Sequence, residues 1–296
     1  MVMHPDRIVP GIGVAAGALI WVEGPDTIVF LDGQVSQDVG AMSPGGVQRS
    51  FLLEPRGKLR AILWVLRGVD AVGLVTPPDT AAAVVADLER FRFRVRTALR
   101  IDPRPVHTVW GQPAAMPGWS DDGVALHAAI PSRVPHRVVA AMEPPDGAIL
   151  DRAALAANRI AAGEPQFGVD VDETTIPQET GLVPEAVSFT KGCYLGQELV
   201  ARIDTRGHVN RSLRRIRGVG EPPPPGAAVT ASGTAVGTLG TVAPLPQGWM
   251  ALGVLRREAG PGTGVAVRWE DGEAAATVEE IGLDGAPSHP SNRSEG

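Results

Sequence analysis

The chain has one cysteine, Cys193, in 296 residues. That scarcity excludes an internal disulfide framework, and one copy cannot supply the four thiolates that hold an iron–sulfur cluster. No Cys/His cluster has zinc-site spacing, so no metal site is expected. Long hydrophobic runs are also missing. The stretch Ala61-Ile62-Leu63-Trp64-Val65-Leu66 is far too short to span a bilayer, and Met1 to Pro10 lacks a basic start followed by an apolar segment. Positive charge is not in excess either. The 27 Lys and Arg residues stand against 33 Asp and Glu residues, a net −6, which argues against general affinity for nucleic acid. The expectation is a monomeric globular protein of a reducing cytoplasm with no membrane segment.

What is present is ordinary globular composition, 44% apolar and 20% charged, in a chain long enough for more than one lobe. Ile28-Val29-Phe30-Leu31 before Asp32-Gly33 reads as an apolar strand running into a turn. Gln48–Leu53 and Leu59–Leu66 read as a hairpin around Glu54-Pro55-Arg56-Gly57-Lys58. Ala71–Thr76 is a further strand, stopped by Pro77-Pro78-Asp79-Thr80, which offers a helix N-cap. Val84, Val85, Leu88 and Phe91 then keep helical spacing. Phe91-Arg92-Phe93-Arg94-Val95-Arg96 switches to period two, which predicts a half-buried strand with Arg92, Arg94 and Arg96 on one face. Residues 102–150 read as strands and loops, and Asp151–Ala162 as a helix capped by Asp151 with Leu155 and Ile160 inward. Pro222 to Pro225 cannot continue a helix or a ladder and mark a boundary. Short segments follow at regular spacing: Ala228–Ala231, Ala235–Ala243, Met250–Leu255, Val265–Trp269 and Ala276–Ile281. They predict a small antiparallel barrel. From Pro287 the composition reads as a disordered tail.

The segment that carries chemistry is Lys191-Gly192-Cys193-Tyr194-Leu195-Gly196-Gln197-Glu198. Two glycines frame Cys193 to Leu195, and the following Gln-Glu-Leu-Val-Ala-Arg run forms helix readily. Cys193 is thus expected just before a helix N-terminus, where the dipole and Lys191 would favour a thiolate able to act as nucleophile or metal ligand. A lone cysteine is more often a small buried apolar group. The polar, glycine-rich surroundings argue against that here.

The pattern Lys-Gly-Cys-Tyr-x-Gly-Gln-Glu resembles the signature of YgfZ-type folate-binding proteins, a branch of the T-protein (aminomethyltransferase) superfamily. The likeness extends to Arg159 through Pro165, Gly168 through Leu182, Arg202 and Arg206 to Arg211, Phe30 through Val39, and Leu53 through Lys58. It implies an α+β fold, a T-protein-like ring of α+β subdomains around a central folate channel, with a small C-terminal antiparallel β-barrel. The expected divisions are 1–217 for the folate-binding region, 218–286 for the barrel and 287–296 for the tail. Tetrahydrofolate is the implied cofactor, with Tyr194, Gln197, Glu198, Glu179, Arg202 and Arg206 at its site and Cys193, with Lys191, as the reactive group. The implied role is assembly or maintenance of iron–sulfur enzymes, possible tRNA-modifying radical-SAM clients included, with client or assembly proteins as partners.

Catalysis by this chain is less expected. T-proteins carry Gly-Gly-Ile-x-Asp-Asp in the hairpin, where this chain has Arg56-Gly57-Lys58-Leu59-Arg60-Ala61, with no proton acceptor at either carboxylate position. Their Arg-x-Glu-Ala-Gly becomes Arg159-Ile160-Ala161-Ala162-Gly163. A tetrahydrofolate-dependent aminomethyltransferase or demethylase remains the first alternative. An RNA-binding module is the second, resting on Arg92, Arg94, Arg96, Arg202, Arg206, Arg211, Arg214, Arg215 and Arg217, whose bland alternative is a surface of paired charges. Asp170, Asp172 and Glu173 read as solvated loop carboxylates. The six histidines lack metal spacing, and Gly11-Ile12-Gly13 is only a fragment of a dinucleotide fingerprint.

Overall fold

The computed structural model describes residues 8–112, 117–207 and 209–281. In chain order the first part runs β1 (Gly11–Glu23), α1 (Thr27–Asp32), β2 (Val47–Leu53), β3 (Leu59–Arg67), β4 (Ala71–Thr76) and α2 (Pro78–Phe91). It continues with β5 (Ala98–Ile101), β6 (Val106–Trp110), β7 (Trp119–Asp121), β8 (Leu126–Ile130) and β9 (His136–Ala140). Then come α3 (Arg152–Ala162), a 3-10 turn (Pro177–Thr180), α4 (Val183–Ala186) and α5 (Gln197–Arg206). The last part is β10 (Arg211–Gly218), β11 (Ala228–Ala231), β12 (Thr234–Leu245), β13 (Gly248–Arg256), β14 (Gly264–Trp269) and β15 (Gly272–Glu279).

β1 is the hinge of the large sheet. Its first residues pair with β6, and after a register shift between Gly13 and Gly17 the rest pairs with β4 on one side and β5 on the other. The strand order β2-β3-β4-β1-β6-β9-β8-β7 follows, all antiparallel. Ile20, Val22, Leu63, Val65, Val72 and Leu74 face Leu31, Val84 and Leu88 in one core. The small residues and two-sided burial of β1 hide its period from the sequence, so the strand was not expected. The Gly11-Ile12-Gly13 fragment lies inside it and opens no helix.

The expected strand at Ile28–Leu31 is a helix. Thr27, Phe30 and Leu31 are buried while Val29 is 80% exposed, a one-sided spacing that a run of four apolar residues conceals. Phe91–Arg96 is not a strand either. Phe91 closes α2, half outside the core, and Arg94 has φ 58° in the loop that follows. Arg92 folds back on Glu89, Arg94 stacks on Phe93 and Arg96 binds Asp26, so the three share no cationic face. Pro77 stands at the N-cap of α2 with no side-chain cap, and Pro78 takes the first turn, where a missing N–H is harmless. Asp151 caps α3 as expected, accepting from Ala154 N.

The barrel is closed in the order β10-β13-β12-β11-β14-β15. It begins at Arg211, ahead of the expected 217/218 division, because β10 pairs with both β13 and β15 before the proline run is reached. Alternate residues of these strands, among them Ile216, Val229, Leu239, Trp249, Val267 and Val278, fill its interior. The predicted tail at 287–296 lies outside the described residues.

Candidate thiol site

The loop Ser188–Gly196 is stitched to the Asp32–Gln37 turn at the end of α1. Ser188 N donates to Ser36 O at 3.0 Å and Leu195 N to Gly33 O at 3.1 Å. Lys191 completes the seam. Its side chain is buried, and Nζ donates to the carbonyl oxygens of Asp32 (2.6 Å), Val35 (3.0 Å) and Gln37 (2.8 Å). Asp32 Oδ1 lies 3.1 Å away, and the Tyr194 ring centroid 5.3 Å away. Burial lowers the ammonium pKa, and the Asp32 hydrogen bond and charge oppose it. An ammonium has three N–H groups, and three carbonyls take them. Lys191 is therefore a latch rather than an activator of the thiol, contrary to the expectation for it.

Cys193 is exposed between this latch and Tyr194. Tyr194 is buried among Phe51, Leu53, Val187 and Val200, and burial pushes its phenol up to about 12. The thiol thus stands outward on a loop pinned at both ends. It is not core filling. Helix α5 starts at Gln197 with Gly196 as N-cap, which puts Cys193 three positions outside the helix, where the dipole has largely faded.

Gly196 is required by packing. It adopts φ 81°, and a Cβ there would lie 2.6 Å from Glu54 O and 3.0 Å from Gly57 Cα, in the turn between β2 and β3. Gly192 differs, because a Cβ there meets nothing within 4 Å. Close by, Leu53, Pro55, Arg60, Asp87, Phe91 and Leu195 line a cleft of about 200 Å³. Arg60 Nε donates to Asp87 Oδ2 at 2.7 Å, which ties α2 to the hairpin.

The residues implied to meet folate are engaged by the protein itself. Gln197 Oε1 accepts from Tyr194 N, and Glu198 pairs with Arg202 along α5. Glu179, in the 3-10 turn, binds Arg211 through Oε1 (2.8 Å) and Oε2 (3.2 Å) and accepts from Ile176 N. That bidentate pair ties the turn to the first residue of the barrel. Arg206 closes α5, and its side chain lies outside the described residues. Glu179 is thus committed to the barrel, whereas the Glu198–Arg202 pair lies open on the surface of α5.

Sequence reasoning missed a buried junction. Arg49, in the middle of the apolar strand β2, donates from Nη2 to Glu164 Oε1 at 2.5 Å, and its Nε lies 3.3 Å from Glu185 Oε2. Its guanidinium stacks over Trp64 at 4.3 Å. Arg133 reaches Glu185 and Gly181 O, and His136 stacks on Trp110 at 4.2 Å. Burial would raise the Glu164 carboxyl, but the Arg49 charge and hydrogen bond hold it below the usual range. Burial lowers His136. A lone arginine within an apolar strand was the available signal. Asp170 also departs from expectation. It is buried, accepting from Arg159 Nη2 at 2.6 Å and from Thr241 N of the barrel at 2.6 Å.

Comparison with known proteins bears on the fold. Residues 211–281 match the CAF17 C-terminal beta-barrel domain. The tRNA-modifying protein YgfZ of Pectobacterium atrosepticum is 28% identical over 229 residues, 68% of each chain. The human mitochondrial iron-sulfur cluster assembly factor IBA57 is 29% identical over 251 residues, 74% of this chain and 70% of that one. Among solved structures, the glycine cleavage system aminomethyltransferase T of Bartonella henselae superposes with a TM-score of 0.77 over 94% of this chain and 87% of its own, at 18% identity. The fold is that of the T-protein class. In sequence the chain is similar to YgfZ and IBA57 proteins over about two thirds of its length or more. Among the described residues no helix is long and apolar enough to cross a membrane.

Proposed function

We propose that this chain is a folate-binding accessory factor, not a catalyst of one-carbon transfer, that uses Cys193 to help assemble or maintain iron–sulfur enzymes. The observation that carries the reading is the exposed thiol on a loop pinned by the Lys191 latch and by Gly196. A fixed, accessible sulfur suits transient bonding to a client protein or metal. The names of the relatives, a tRNA-modifying protein and an iron-sulfur cluster assembly factor, support the same role and make client or assembly proteins the partners. The exposed thiol suits a reducing compartment such as the cytoplasm.

Tetrahydrofolate is kept as the ligand on the likeness of the fold alone, and calorimetry tests it. Heat that saturates supports binding; silence removes folate from the proposal and leaves the thiol role standing. For the thiol, Cys193→Ala is introduced in cells that depend on the chain, and an iron–sulfur enzyme is assayed. The expected activity falls to that of cells lacking the chain, at unchanged protein level. Full rescue by Cys193→Ala would remove the thiol from the function. The transferase alternative gains no support from Arg60 and Ala61 in the hairpin. The RNA alternative loses its cationic strip, because Arg92, Arg96, Arg202, Arg211, Arg215 and Arg217 all pair with carboxylates.

A further inference from the structure

With no residue of the thiol loop in its lining, an open cleft of about 850 Å³ is enclosed by strands β1, β4 and β7 with the turn before β4. Its floor is aromatic. The rings of Trp21 and Trp119 lie 5.8 Å apart at an interplanar angle of 54°. Both indole edges are fixed, Trp21 Nε1 donating to Asp102 Oδ2 at 2.8 Å and Trp119 Nε1 to Arg67 O at 2.9 Å. The anchoring carboxylate is itself held ionised. Burial would raise Asp102, but hydrogen bonds from Arg104 and Trp21 keep it at about 2. Both rings, fixed by their edges, line the cleft, Trp21 as a buried residue and Trp119 as a half-buried one.

The rim is acidic. Glu23, Asp70 and Asp121 stand there against one guanidinium, that of Arg100. Asp121 is occupied by Arg104. Asp70 is exposed, and its carboxylate has no hydrogen bond or ion pair among the described residues. The molecule already shows what this chemistry accepts. Arg100 lies over the Trp21 ring at 5.7 Å and binds Glu23 through Nε and Nη2, both at 3.1 Å. A cation over an indole face with a carboxylate at its edge is how aromatic sites hold guanidinium and ammonium groups. Trp119 and Asp70 line the same cleft.

We propose that this cleft binds an organic cation, a guanidinium group above all, between the Trp119 face and the Asp70 carboxylate. The site is independent of the thiol function. Its source is either a free small amine or an arginine side chain of a protein.

The test follows the indole N–H resonances of the full chain by NMR while arginine amide, its neutral isostere citrulline amide, or a Gly-Arg-Gly peptide is added. Arginine amide is expected to shift Trp21 and Trp119 saturably in the millimolar range, with citrulline amide at least about ten-fold weaker. Asp70→Asn should weaken arginine amide several-fold with the spectrum otherwise preserved, and Arg100→Ala, which frees Glu23 and removes a like charge, should strengthen it. Tighter binding of the peptide assigns the ligand to a protein; tighter binding of the free amide assigns it to a small amine. Equal affinity for the neutral isostere, no saturable shift with either cation, or unchanged binding in Asp70→Asn overturns the proposal.

Discussion

The barrel and the junction behind the thiol loop are both buried, yet they are built from opposite materials. The barrel interior is a set of aliphatic side chains around Trp249, and its ion pairs, Arg215 and Arg217 with Glu279, sit in the wall. The junction encloses Arg49, Glu164 and His136, and the buried Lys191 latch adjoins it through Gln37. Apolar burial is non-directional and roughly additive, so the barrel tolerates substitutions that keep volume. A buried charge is satisfied only in one arrangement. The junction should therefore gain little net stability from its charges and yet fail sharply when one is removed.

The largest break is expected from Arg49→Met, which strands Glu164 in the interior. Urea unfolding should show a loss of about 3–5 kcal/mol. A volume-conserving change in the barrel such as Leu255→Met should stay below about 1.5 kcal/mol. An equal loss at both sites would dissolve the contrast. Lys191→Met should cost about 1–3 kcal/mol by leaving carbonyls of the Asp32–Gln37 turn unpaired, with faster amide exchange there and in the thiol loop. Lys191→Arg should not restore it, since a planar fork cannot aim at three converging carbonyls.

Acid reaches the large sheet as well as the junction. Asp102 has a folded value of about 2 against an ordinary 3.8, so its contribution is complete above about pH 4 and disappears as pH falls towards 2. That is roughly 2 kcal/mol, and the lowered Glu164 adds loss in the same direction. Asp102 holds Trp21 in the large sheet, so acid should loosen that sheet together with the junction, read as a change in tryptophan fluorescence as pH falls towards 2. The smallest effects separate the two glycines. Gly196→Ala should cost about 1–3 kcal/mol from backbone strain and the clash with Glu54, while Gly192→Ala should stay within about 0.5 kcal/mol in thermal unfolding.

Legibility in the sequence followed the same division. Strands β2, β3 and β4 and the barrel strands after the proline run announced themselves through alternation and turn residues. Apolar runs bounded by turn residues are enough there, although β2, β3 and β4 bury both faces. Local pattern failed at β1, whose small residues hide its period, at α1, whose helical spacing is too short to register, and at Phe91–Arg96, where alternating Phe and Arg mimic a strand. The signature marked the thiol and its exposure fits the polar surroundings. The role of Lys191 was hidden because its partners lie 154 to 159 residues earlier. Glu179 and Arg211 were hidden likewise, each read as a ligand or surface charge until the fold joined them.

That separation has a kinetic consequence. The Asp32–Gln37 turn must wait for Lys191 to be synthesised before its carbonyls are filled, and contacts so distant along the chain close late in folding. The loop bearing Cys193 is then ordered from the far end of the molecule. A lesion in α1 or the turn after it would loosen the thiol loop without touching a residue of the signature.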